Sequence, residues 1–239
     1  MGRAPESSLS ESLAPKGLVE IFVTRGAPKH ILIGATPNRF GIPVCTDHKL
    51  DFTDCEILDT TRIHNIILNQ GKNVVINSLT EYSGLALARM AVGDRGTIPS
   101  DSTVPKTPVA TMTGLYNEVY RSDVEAVIKN TAGTLHEVRL VKTFEAKKIP
   151  ITAFSNQAKP VLNEVSLIMI DPTRLPQPRA AVIGPYIYPI QGVPPLESSY
   201  PYNYPPTDEV AFSLRTFKSV PFEAATDMSI TIRYTIYIE

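Results

Sequence analysis

The residues of this chain best suited to chemistry crowd into one short stretch: Cys45, Asp47, His48, Asp51, Asp54 and Cys55. Thiols, an imidazole and carboxylates are the groups that hold transition metals. To do so here, Cys45, His48 and Cys55 would have to converge on one ion with bonds of about 2.0–2.3 Å. Their spacing matches no compact zinc motif, so the stretch reads as a polar turn with two ordinary thiols and no metal. The remaining histidines, His30, His64 and His136, make no i, i+4 pair with one another or with His48, so a helix-borne metal pair is not encoded. Carboxylates in pairs could act as acid and base. Asp47, Asp51, Asp54 and Glu56 are close in sequence, which reads as a solvated loop. Glu118 and Glu164 differ, because each lies inside an otherwise apolar stretch. We read them as strand carboxylates bonded to backbone or to an arginine, with Arg121 or Arg139 as the partner. Gly93-Asp94-Arg95-Gly96 reads as a tight turn, since no Gly-Lys-Ser/Thr follows it, and there is no Gly-x-Ser-x-Gly elbow. No catalytic residue and no cofactor site is expected.

The elements that must position these residues are mostly strands. The chain has 239 residues, 43% apolar and 20% charged, with 21 prolines and no tryptophan. So many prolines favour strands and ordered loops over long helices. The net charge of −1 gives no concentrated basic face, which argues against nucleic acid as the main partner. Two cysteines at this length are not a disulfide framework. Reduced thiols are the default reading, with a single Cys45–Cys55 bridge as the alternative. Residues 1–16 carry Ser, Pro, Glu and Lys without an apolar run, which reads as a flexible arm and not a signal peptide. No apolar run approaches a membrane-spanning length.

Residues 17–59 read as a β segment, with short runs at Leu18–Val23 and Ile31–Ile33. Ile63, Ile67, Val75 and Leu79 recur at multiples of four, which predicts the principal helix near residues 61–81. Gly71 is its weak point. A buried strand follows at Leu85–Val92, then a polar loop over 97–113 and an ambiguous stretch over 115–128. Further strands are expected at His136–Phe144, Ile149–Thr152 and Val161–Ile170. Residues 228–239 alternate almost without exception, with Met228, Ile230, Ile232, Tyr234, Ile236 and Ile238 on one side. We expect this strand to bury its even positions. We expect it to pair with Ala211–Val220, so that residues 207–239 form a C-terminal strand pair closing the sheet. The fold class is mainly β (α+β), an antiparallel sheet or sandwich with one principal helix.

Residues 172–206 stand apart. They hold ten prolines and the five tyrosines Tyr186, Tyr188, Tyr200, Tyr202 and Tyr204, with few charges. A solvated linker gains nothing from exposed tyrosine. The segment reads as a docking loop in which proline fixes φ beforehand and tyrosine supplies a large ring with a polar tip.

Three further stretches carry a resemblance. They are Ala88 to Asp94, with Met90, Gly93 and Asp94; Leu115 to Arg121, with Asn117, Glu118, Tyr120 and Arg121; and Pro160 to Ile168, with Glu164. In this order they resemble the N-terminal attachment domain of phage tail fibre proteins, in which Met-Ala-Val-Gly-Asp, Leu-Val-Asn-Glu-Val-Tyr-Arg and Glu-Val-Gly-Leu segments recur. Ser166 stands where that family has glycine. The resemblance covers roughly residues 58–171, within which residues 60–171 are expected to form a tail-fibre-attachment-like domain, and implies a structural virion subunit that docks to other tail proteins. It also implies self-association, as a homotrimer, and assembly in a host cytoplasm without membrane insertion. The lack of a shaft-like repeat points to a baseplate, collar or fibre-adaptor part. The alternative is a neck or capsid decoration protein, and a third reading is a small hydrolase using Glu118, Glu164 or His136.

Overall fold

The computed structural model describes residues 16–38, 41–80, 86–130, 136–170, 182–186 and 209–238. Before the helix the strands are β1 (Lys16–Arg25), β2 (Lys29–Ile33), β3 (Thr36–Pro37), β4 (Pro43–Cys45), β5 (Asp47–Asp51), β6 (Glu56–His64) and β7 (Ile66–Ile67). Helix α1 spans Asn69–Thr80. After it come β8 (Ala86–Gly93), β9 (Thr97–Ile98), β10 (Asp101–Pro105), β11 (Glu118–Asp123), β12 (Ala126–Asn130) and β13 (His136–Glu145). The last are β14 (Val161–Ile170), β15 (Val182–Tyr186), β16 (Glu209–Pro221) and β17 (Met228–Ile238).

The strands form two large sheets. One is seven-stranded, in the order β3-β4-β12-β13-β17-β1-β6, and the other is six-stranded, in the order β15-β11-β8-β14-β16-β7. Pairing is antiparallel except between β4 and β12. The alternation of β17 explains its place. Ile230, Ile232 and Tyr234 are fully buried and Ile236 nearly so, while β17 pairs with β1 on one side and β13 on the other. Their inner side chains, Val19, Ile21, Leu140 and Phe144, join Met90, Val92, Val165 and Leu167 of the other sheet in one apolar cluster. That shared core makes the molecule a sandwich of two sheets, whose stability comes chiefly from apolar burial.

The excursion between β1 and β6 is an arm laid over the outer face of the seven-stranded sheet. It leaves β1 at Gly26, whose φ of 81° suits glycine. β2 and β5 pair with each other as a separate ribbon. The tip, β3 and β4, joins the sheet edge through β12. Under the ribbon lies a second small cluster, Cys45, Ala126, Ile128 and Val141, packed against Leu32 and Leu50.

The structure differs from the sequence reading in three elements. The helix begins at Asn69 and not near residue 61, because residues 56–64 pair with β1 along their length. Ile57, Thr60, Thr61 and Ile63 are β-branched and suit that strand. Second, Ile149–Thr152 is not a strand, and short 3-10 turns occupy Ala146–Lys148 and Ile151–Ala153. Third, β16 and β17 do not pair with each other. β16 lies in the six-stranded sheet beside β14, so residues 222–227 carry the chain from one sheet to the other. The segments 17–59, 60–171 and 207–239 therefore interleave in one sandwich. The polar loop over 97–113 contains the small β9–β10 ribbon.

Candidate functional site

The three motif segments are brought onto three neighbouring strands, β11, β8 and β14. Gly93 ends β8 in register with Glu118 on one side and Glu164 on the other. A methyl group on Gly93 would lie 2.3 Å from the Asn117 carbonyl oxygen and 2.5 Å from a Glu164 carboxylate oxygen. Glycine is needed because the neighbouring strands leave no room.

Glu164 is fully buried. Its Oε1 accepts the backbone N–H of Arg95 at 3.0 Å and of Asn117 at 2.9 Å, and its Oε2 accepts that of Tyr116 at 2.7 Å. Burial pushes this carboxyl up to about 7, against the pull of those three donors. Asp94 completes the rung. Its Oδ1 accepts from Asn117 Nδ2 at 2.6 Å, and its Oδ2 accepts from the Ser155 N–H at 2.6 Å and hydroxyl at 2.8 Å. Asn163 fixes the following turn: its Oδ1 accepts the Gly96 N–H at 2.6 Å, and its Nδ2 donates to Ser219 Oγ at 3.0 Å. Buried polar atoms are thus paired with one another, as burial requires.

A second buried network adjoins it. Arg121 donates two bonds to Glu118 and a third, from Nη1, to Glu209 Oε2 at 2.5 Å. Arg89 lies 3.1 Å from the other Glu209 oxygen and donates from Nε to Asp123 at 2.8 Å. The side chains of Glu118, Arg121 and Glu209 are at most 1% exposed. Burial pushes Glu118 up to about 7, with Arg121 pulling it back. Burial also opposes the Arg121 charge, and Glu118 and Glu209 outweigh that opposition and hold its pKa above the ordinary value. The expected bonding of Glu118 to Arg121 and of Glu164 to backbone is what the strands set up. Arg139 instead pairs with Glu137. Met90 and Tyr120 are packing residues. Met90 faces Leu167 in register, and the Tyr120 ring meets Phe144 edge-on, centroids 6.2 Å apart.

Asn163, Glu209, Arg89 and Ser155 were not singled out by sequence. Arg89 alone carried a signal, a charge inside an apolar strand. Its partner Glu209 is 120 residues away in sequence, beyond the reach of any spacing argument. His136 is exposed at the start of β13 and does not join Glu118 or Glu164.

A third cluster ties the arm to the sheet. His30 of β2 and His48 of β5 share an N···N hydrogen bond of 3.0 Å. His30 Nε2 lies 2.9 Å from Glu125 Oε2 and 2.8 Å from Thr143 Oγ1. Glu125 also accepts from Lys142 Nζ and from the Thr143 N–H, both at 3.1 Å. Burial, then His30 and Arg233, push His48 down to about 4. Against its own burial, Glu125 is held down to about 2 by His30 and Lys142. Cys45 and Cys55 are free thiols, pushed up chiefly by burial. Among the described residues no three His, Cys, Asp or Glu side chains gather as metal ligands.

Of the expected docking residues, Tyr186 ends β15, whose backbone pairs with β11 at the edge of the six-stranded sheet. Tyr188, Tyr200, Tyr202 and Tyr204 lie outside the described residues. On the outer face of the seven-stranded sheet, a shallow concavity of about 600 Å³ is lined by Leu18, Thr235, Arg62, Arg139, Arg233 and Glu20, among others. Comparison with protein families, with curated proteins and with solved structures finds no match to this chain.

Proposed function

We propose that this chain is a non-enzymatic structural subunit of a bacteriophage tail, in the baseplate or at the attachment of a fibre. It acts without a cofactor, by docking to other tail proteins and to copies of itself. It is built in the host cytoplasm and carried in the virion. One observation supports this reading most. The segments that resemble the tail-fibre attachment domain fold onto adjacent strands, with Gly93 in register between Glu118 and Glu164. Residues that recur together in sequence thus work as one unit. Their carboxylates are committed to Arg121 and to backbone N–H groups, the arrangement of a scaffold whose outer surfaces do the recognising. In this reading residues 172–206 are the principal docking surface, with β15 anchoring them to the sheet and the tyrosines making contact.

Purified particles probed with a gold-labelled antibody against this chain give the test. Label on the tail is expected. Label on the head or neck would favour a decoration or collar protein. Particles that carry no copy of the chain would overturn the proposal.

A further inference from the structure

The arm carries a device that its role as a scaffold does not require. It crosses the sheet with few apolar anchors at its middle, and polar side chains supply the rest of the contact. Those side chains are His30 and His48 from the ribbon, set over Glu125, Lys142 and Thr143 of the sheet and Thr231 beyond them. The charged groups facing His48 are His30 on β2, Asp47 on its own strand, Glu125 before β12 and Arg233 on β17.

The bonds around His30 set the proton positions. Glu125 Oε2 is an acceptor, already receiving the Thr143 N–H, so His30 Nε2 carries a hydrogen toward it. In a neutral His30, Nδ1 is then bare and takes its hydrogen from His48 Nε2, 3.0 Å away. One added proton is accommodated, because an imidazolium and an imidazole still share a single hydrogen between the facing nitrogens, with Glu125 as counter-ion. A second proton is not. Both facing nitrogens would then carry hydrogens, and two cationic rings would sit with centroids 5.1 Å apart, with Arg233 adding to the repulsion.

We propose that the His30–His48 pair is an acid-operated latch that lets the β2–β5 ribbon lift from the sheet while both large sheets stay intact. Directions agree with the geometry. His48 is held far below the ordinary histidine value, so opening the latch takes up a proton as the pH falls from about 6.5 toward 4. Asp47 and Glu125 favour a charged His48 but are outweighed by burial, His30 and Arg233. Lifting the ribbon uncovers Cys45, which is 3% exposed beneath Leu32 and Leu50.

That thiol reports on the latch. In a chain carrying Cys55→Ser, Cys45 is the single thiol, and its reaction with 4,4′-dithiodipyridine can be followed down to acid pH. Rates are divided by those of the same chain in urea at each pH. The ratio should be flat above pH 7 and rise roughly 70-fold between pH 7.5 and 4.5, the result of one linked proton with the two pKa values above. Far-UV circular dichroism should stay native throughout. Adding His48→Gln should flatten the profile. On the unmodified chain, amide exchange corrected for intrinsic pH effects should accelerate in β2 and β5 at pH 4.5 and not in β17. A flat ratio in the parent chain, an equal rise in H48Q, a rise that tracks loss of circular dichroism, or exchange equal in ribbon and β17 would each overturn the latch.

Discussion

At the scale of single residues, Gly93 and Glu164 depend on each other through space. The glycine leaves room for the carboxylate, and the carboxylate gathers three N–H groups that the surrounding turns would otherwise leave unpaired. Glu164→Gln keeps the shape but turns an amide N–H₂ toward donors. We expect it to lower stability in urea by about 1–3 kcal/mol, the penalty for unpaired buried polar groups. The pH dependence has a definite sign. A carboxyl whose folded pKa is raised to about 7 stabilises most below its ordinary value and loses that contribution as pH rises through 7. The deficit of E164Q should therefore be largest below about pH 4.5 and narrow by pH 8; a deficit that widens would contradict it. Charges buried in apolar stretches were legible as bonded carboxylates because their desolvation demands a partner. Arg121, three residues along, was legible as the partner of Glu118; that Arg121 also takes Glu209 and that Asp94 takes Ser155 was not, since those residues come near only when distant segments align.

At the scale of elements, the period of two in β17 was readable because one face is fully buried and the register allows no slip. The helix was half readable. Ile63 and Ile67 fit a period of four as well as they fit a strand, and the pairing of Ile63 with β1 and of Ile67 with β16 decided the matter. The separation of β16 from β17 was invisible, since adjacency in sequence favours pairing and nothing local marks a crossing between sheets. Gly71, read as a weak point of the helix, has a packing role: a methyl group there would lie 2.4 Å from the Phe212 carbonyl oxygen. A buried chain of ion pairs from Asp123 through Arg89, Glu209 and Arg121 to Glu118 links β11, β8 and β16 of the six-stranded sheet. Arg121→Met keeps the volume, takes from buried Glu118 both of its bonds to Arg121, and leaves Glu209 with Arg89. It should destabilise the protein by about 3–5 kcal/mol by urea titration at pH 8. A loss below about 1 kcal/mol would show that the network contributes little.

At the scale of the whole molecule, self-association is the expectation that the described surfaces leave to residues 172–206. The isolated chain should have the light-scattering mass of three copies. Replacing Tyr186, Tyr188, Tyr200, Tyr202 and Tyr204 together by serine should return it to one copy with unchanged circular dichroism. A variant that unfolds or precipitates would place those rings in the core. The sheets themselves are poorly suited to joining copies, for a reason that lies in their borders. β3 and β7 are two residues long, and β3 and β15 contain Pro37 and Pro185. β6 is the long border without proline, nine residues with Ile57 and Leu58 exposed. Proline and brevity deny an incoming strand its ladder of hydrogen bonds. Growth of a fibre requires that each added copy present a fresh acceptor at its far side. Among the described residues of the two large sheets, a second copy joined at β6 would leave outward only the short or proline-bearing borders β3, β7 and β15, so templated growth through these sheets ends after one step.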